Sequence, residues 1–185
     1  MILCRKRDRL KTGFDSLSNF TDREFRDALS TFGTGVTIVT ARDGDGAPVG
    51  MTASSFSSVS MNPPLVLWSA AKKALSGEAF RDAQHFAVHV LHTEQSDLSN
   101  RFAKTGTDKF SGLDWNGDAN SVPELPDVLA RFECSQYAVY EGGDHWIIVG
   151  EVTSFEHMSG KGLLHVAGGY ASARTLRPSS SEAAE

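Results

Sequence analysis

The chain has 185 residues, 40% of them hydrophobic and 22% charged, a composition ordinary for one globular domain. Its net charge of −5 conceals a basic start: Arg5, Lys6, Arg7, Arg9 and Lys11 against Asp8 leave an acidic body, which argues against nucleic acid as the main partner. No apolar run approaches the roughly 18 residues of a membrane span, and the apolar part of "MILCRKRDRLK" is too short and precedes its charges, so neither a membrane partner nor a secretory signal is expected and the default location is cytoplasmic.

Residues 1–18 read as a disordered basic tail. "TDREFRDALSTF", 21–32, predicts a helix: Thr21 and Glu24 form a capping-box pattern, and Phe25, Ala28, Leu29 and Phe32 share a face. The β-branched run 34–41 predicts a strand, "RDGDGAP" a hairpin turn and 47–55 the returning strand. Asn62-Pro63-Pro64 breaks the chain before a strand at 65–70. A short helix at 74–83, a strand at 85–91 and a helix at 93–104 with Thr93 as N-cap follow. Segment 105–126 is irregular, anchored by Phe110, Leu113 and Trp115. Strands at 129–140 and 145–157 are joined by "EGGDH", and a last strand covers 163–167. The folded domain is placed at 19–175, with a disordered tail at 176–185. Strands outnumber helices and come as hairpins, which predicts a mainly β fold, an antiparallel barrel with a few peripheral helices.

Several apparent motifs fail. "GTGVTI" at 33–38 lacks the third glycine of a dinucleotide fingerprint and opens a strand where the fingerprint needs a helix; Gly33 reads instead as a helix C-cap. His85 and His89 share a strand face but lie roughly 13 Å apart at about 3.3 Å per residue, too far for one metal, so no metal site is expected and these histidines are read as half-buried or solvent-facing. Cys4 and Cys134 do not make a disulfide framework; Cys134 reads as a small core residue and Cys4 as incidental.

The segment "GMTASSFSSVSMNPPLVLWSA", 50–70, is crowded with hydroxyls, and Lys72 and Lys73 follow it at the start of the expected helix. Hydroxyls, backbone N–H groups and cations together suit a phosphate. Equally, the serines can hydrogen-bond their own loop while the lysines are solvated. Composition leaves both readings open.

Six stretches, in order and spacing, resemble the short-chain flavin reductase family: "FRDALSTFGTGVTIVTA", "PVGMTASSFSSVSMNPPLVLW", "HFAVHVLHTEQSDLSNRFA", "DKFSGLDW", "GDHWIIVGEV" and "LLHVAGGY". These are split-barrel reductases that supply reduced flavin to two-component monooxygenases. The resemblance covers about 24–174 and implies a split β-barrel. It implies that Pro48, Val49, Gly50, Met51 and Thr52 line the isoalloxazine and ribityl chain, and that Ser54 and Ser55 reach the ribityl chain or phosphate. By the same likeness Ser69, Lys73 and Ser76 hold the phosphate end, and the helix segment with Arg101 and Phe102 approaches the flavin. His145 would face the nicotinamide side, with turn capping beside Asp144 as its bland alternative. Val166, Ala167, Gly168, Gly169 and Tyr170 would hold the dinucleotide, although His165, Val166 and Ala167 replace the two aromatics and the arginine of many relatives.

The implied cofactor is FMN, with FAD as alternative, and the implied reductant NADH, with NADPH as alternative. The protein then needs no catalytic acid, base or nucleophile: hydride transfer asks for proximity and exclusion of water. The implied partners are a second copy in a homodimer and a flavin-dependent monooxygenase. A flavoprotein that keeps FMN and reduces another acceptor, and a non-catalytic flavin-binding module, are the competing readings.

Overall fold

A computed structural model describes residues 20–106, 108–118 and 121–174. The basic tail, Cys4 and the C-terminal segment 176–185 lie outside the described residues. The elements are α1 (Asp22–Ser30), β1 (Thr34–Gly35), β2 (Thr37–Arg42), β3 (Pro48–Ala53), β4 (Ser57–Met61), β5 (Pro64–Ala71), α2 (Gly77–Asp82), β6 (His85–Val90), α3 (Ser96–Ala103), β7 (Ala130–Gly142), β8 (His145–His157), β9 (Leu163–Val166) and β10 (Gly169–Ser172). The described strand pairs are antiparallel, in a seven-stranded sheet of order β3-β2-β6-β7-β8-β5-β4 and a three-stranded sheet of order β1-β9-β10. The mainly β, antiparallel architecture is thus the expected one. Among the described residues no helix is long and apolar enough to cross a membrane.

The core divides in two. Val39, Val66, Trp68, Phe80, Phe86 and Ile148 fill one half, with Trp68 edge-on to Phe80 at 4.8 Å. Ile38, Leu91, Phe102, Phe110, Leu125 and Leu163 fill the other, beneath α3 and the 104–129 loop. Alternation along β2 explains the division, since Ile38 and Val39 point to opposite faces and both are fully buried. Cys134 lies in the first half, where burial pushes its thiol up to about 12, as befits an inert core residue.

His89 corrects its sequence reading, for it is fully buried. Its Nε2 accepts the Leu125 N–H at 3.1 Å, which leaves the ring proton on Nδ1 to be donated to the Ile38 carbonyl at 3.1 Å. Burial pushes its pKa down to about 4. One neutral imidazole thereby pins the long loop to β2. Thr40 Oγ1, donating to Pro123 O at 2.5 Å, and Arg42 Nε, donating to Ser121 O at 2.8 Å, pin the same loop.

Other local differences have plain causes. The capping box of α1 is present, but its C-cap is Thr31 and not Gly33. Helix α2 starts at Gly77, because 72–76 is taken up by turns. The N-cap of α3 is Gln95 instead of Thr93: Gln95 Oε1 accepts the His92 N–H at 3.1 Å, and His92 Nδ1 accepts the Glu94 N–H at 3.2 Å, so 92–95 closes on itself first. Two short strands, β4 and β10, escape the sequence reading.

Candidate functional site

Strand β3 is an edge of the seven-stranded sheet. An edge strand pairs through alternate residues only and turns its other N–H and C=O groups outward. Gly50 is one of the latter, since its carbonyl accepts the Lys109 Nζ at 3.0 Å. Against this edge opens a cleft of about 450 Å³, lined by Pro48–Thr52 of β3, by Ala71, Ala74, Leu75 and Ser76 of the β5–α2 connection, and by the end of α3 with its following loop up to Phe110.

Gly50 is required where it stands. A Cβ built there would lie 2.4 Å from Phe102 Cε1 and 3.2 Å from Phe110 Cζ. Phe102 and Phe110 are buried and meet edge-on at 5.2 Å, forming an aromatic floor behind the strand. Thr52 Oγ1 donates to Ser99 O at 2.6 Å and so fastens β3 to α3. Lys109 Nζ donates to Gly50 O and, at 2.8 Å, to Phe102 O, which ties strand, helix end and loop together. Burial pushes the Lys109 pKa below its ordinary value.

Of the residues implied for the flavin, Pro48, Val49, Gly50, Met51, Thr52, Ser76 and Phe102 are brought together in this lining. Ser76 is the N-cap of α2 yet makes no side-chain capping bond, so its hydroxyl is available at the rim. Ser54, Ser55, Ser69, Lys73 and Arg101 lie outside the lining. Ser55 Oγ accepts the Ser69 N–H at 2.8 Å, joining the turn after β3 to β5. Arg101 donates to the Ser111 carbonyl. Lys73 is exposed, while Lys72 stacks over Trp146 at 4.3 Å and reaches Glu141 at 3.5 Å. Several hydroxyls of 50–60 therefore bond nearby backbone, Ser57 and Ser60 included.

The residues implied for the nicotinamide form two further groups. His145 opens β8 and pairs with Ala71 of β5, next to the cleft wall. Its Nδ1 lies 2.7 Å from Asp144 Oδ1, and this contact holds the Asp144 carboxyl below its ordinary range. The Asp144 carbonyl accepts the Lys72 N–H at 2.9 Å, so the turn and the 71–76 connection form one unit. Val166 to Gly169 make the β9–β10 hairpin, with Ala167 at φ 49° and Gly168 at φ 77°, both in the left-handed region that a tight two-residue turn needs. Tyr170 leaves that hairpin towards α3, its hydroxyl 2.8 Å from Ser99 Oγ and 3.0 Å from Asn100 Oδ1.

Sequence reasoning passed over Lys109, Leu75, Ala103 at the end of α3 and the 104–106 loop. Lys109 had a signal in "DKFSGLDW", a basic residue between an acidic one and an aromatic anchor within an otherwise irregular stretch. Among the described residues no group of His, Cys, Asp and Glu could hold a metal ion. The arrangement offers a slot walled by the backbone of β3, with the buried Phe102 and Phe110 packed behind that strand and Lys104 and Lys109 in the lining. That donor set fits a planar heteroaromatic ligand with mixed donors and acceptors, the chemistry of an isoalloxazine.

Comparison with known proteins gives a consistent picture. The model of the flavin reductase like domain matches residues 29–174. The FMN reductase (NADH) SmoA of Agrobacterium fabrum is 50% identical over 148 residues, 80% of this chain and 84% of the relative. The reductase component of the flavin-dependent trigonelline monooxygenase of Acinetobacter baylyi is 44% identical over 148 residues, 80% of this chain but only 48% of the relative, so the chain spans about half its length. The solved structure of the NADH:FAD oxidoreductase SgcE6 of Streptomyces globisporus, in complex with NAD and FAD fragments, is 36% identical, with a TM-score of 0.75 over 86% of this chain and 95% of that one.

Proposed function

The chain belongs to the flavin reductase like domain family, and from that premise we propose that it is an NAD(P)H:flavin oxidoreductase whose reduced flavin passes to a partner monooxygenase. The observation that carries this reading is the cleft along the free edge of β3, with its aromatic floor and outward backbone groups. The relative named as a monooxygenase reductase component supports the partner. FMN is the first expectation and FAD the second; NADH precedes NADPH. A cytoplasmic location belongs to the same reading.

Pro48–Thr52 hold the ring through backbone groups, and Phe102 and Phe110 keep that wall dry and rigid. Ser76 lies at the phosphate end, with Lys73 on the same β5–α2 connection, Ser69 on β5 and Ser54 and Ser55 in the turn after β3. Arg101 approaches the flavin from α3, beside Phe102. The bound flavin supplies the redox chemistry by accepting a hydride from the nicotinamide. The protein's task is to place the donor against the ring and exclude water, which requires no side-chain nucleophile. His145, Val166–Gly169 and Tyr170 orient the donor.

The apolar side of α1 supports a homodimer. Phe25, Leu29 and Phe32 are 51%, 56% and 77% exposed, and no residue of the helix is buried. A second copy covering this side would remove a large apolar patch from water.

The test is NAD(P)H oxidation measured in parallel with FMN, FAD and riboflavin. Turnover only with added free flavin supports the diffusible-product mode. Yellow colour that survives dialysis, with turnover of another acceptor, supports a retained cofactor. No oxidation with any flavin would overturn the enzyme reading.

A further inference from the structure

Lys109 is an unusual cation. It is half-buried in the cleft lining, and two of its three N–H groups are taken by the carbonyls of Gly50 and Phe102. Among the described residues it forms no ion pair. Its sequence neighbour Asp108 uses Oδ1 to accept the Phe110 and Ser111 N–H groups, both at 3.1 Å. A charge drawn partly out of water without a counter-ion is costly, and burial already favours its neutral form. Two uncharged carbonyls could be bridged by a neutral donor. The positive charge therefore has no structural use that a glutamine would not also serve, and Lys109 is one of the residues that line the cleft.

We propose that Lys109 is a specificity-determining residue of this cleft, supplying positive charge at its β3 end so that reduced, anionic flavin binds more tightly than oxidised, neutral flavin. The inference rests on the reading of β3 as the ring-binding wall. A hydride brings two electrons and one proton to an uncharged ring and leaves it with one negative charge, while the donor departs as its oxidised cation. An ammonium within reach of that charge strengthens its hold on the product and not on the starting ring. The flavin phosphate is the other anion that Lys109 could serve, but Lys109 bonds to Gly50, in the ring-lining stretch, and no residue of the β5–α2 connection holds it.

The experiment measures the two-electron midpoint potential of bound FMN and bound riboflavin, with Kd values for oxidised flavin, in the full-length protein and in K109Q, K109M and K109R. Glutamine keeps a donor for the two carbonyls, so K109Q carries the test if K109M does not fold. K109Q and K109M should bind reduced flavin about tenfold more weakly relative to oxidised, which lowers the potential by about 30 mV at two electrons. The shift should be equal for FMN and riboflavin, and K109R should stay near the unmodified protein. An unchanged potential in K109Q, with lowered thermal stability alone, would reduce Lys109 to a latch and overturn the proposal. So would a shift seen with FMN and absent with riboflavin, which would assign the charge to the phosphate. If the unmodified protein binds no flavin at all, the family-based reading itself fails and this inference falls with it.

Discussion

Lowering the pH from 7.5 to 4.5 should destabilise this fold through His89. In the folded protein its pKa is pushed down to about 4 from an ordinary 6.5, chiefly by burial. Protonation would place an N–H on Nε2 directly against the Leu125 N–H that Nε2 now accepts. The unfolded chain therefore binds the proton first. Stability from this group is fully present above pH 6.5, falls as the pH drops towards 4, and changes no further below that. At about 1.4 kcal/mol per pH unit the whole loss is roughly 3 kcal/mol. Exposed carboxylates titrate in the same range, so a variant is needed to isolate the effect. His89→Leu leaves the Leu125 N–H and part of the Ile38 carbonyl unsatisfied, which should cost about 1–3 kcal/mol at pH 7.5. The variant does not titrate at this position. Urea unfolding of both proteins at pH 7.5, 6.5, 5.5 and 4.5 should show the stability gap between them closing, or reversing, by pH 4.5. A gap of constant size across that range would refute the buried neutral imidazole.

Gly50→Ala should destabilise by about 1–3 kcal/mol by overpacking, since the new methyl meets the Phe102 ring at 2.4 Å, and should weaken flavin binding in a fluorescence titration. His145→Ala should lower kcat/KM for NADH by about one to two powers of ten while flavin Kd stays constant; normal kinetics with a lower Tm would make His145 a turn residue only. Tyr170→Phe removes two hydrogen bonds from a half-exposed hydroxyl and should cost about 1 kcal/mol or less in Tm-derived stability, with a raised KM for NADH as the functional readout. Leu29→Glu should convert a dimer to a monomer in sedimentation; an unchanged mass would place the interface elsewhere.

The fold was largely legible because its long elements obey one period at a time. Strand β6 and the paired β7 and β8 carry enough β-branched and aromatic residues to declare themselves, and the capping box announces α1. Strand β4 did not, for a physical reason: it is a serine-rich edge with a register shift between Ser58 and Ser60, so neither of its faces needs apolar side chains. Strand β10 is four residues long and follows a turn whose Ala167 adopts a conformation that glycine usually takes. At the site, family likeness singled out Pro48–Thr52, and the structure brings these residues together along one cleft wall because they form a single strand. Lys109 was not, because its role depends on the carbonyls of Gly50 and Phe102 meeting in space, and no spacing along the chain encodes that. His89 was misjudged for the same reason: only the fold shows that the 104–129 loop covers it.

The free edge of β3 has a further consequence, for colloidal behaviour. An outward row of unpaired backbone groups can accept a strand from another molecule, and such edges seed sheet-to-sheet aggregation. Here the Gly50 carbonyl is already held by the Lys109 ammonium, and Pro48 contributes no N–H. An incoming strand would have to displace a cation and would find the row interrupted. Loss of Lys109 should accordingly raise the tendency of the protein to aggregate at high concentration, and added ligand should suppress it by covering the same edge.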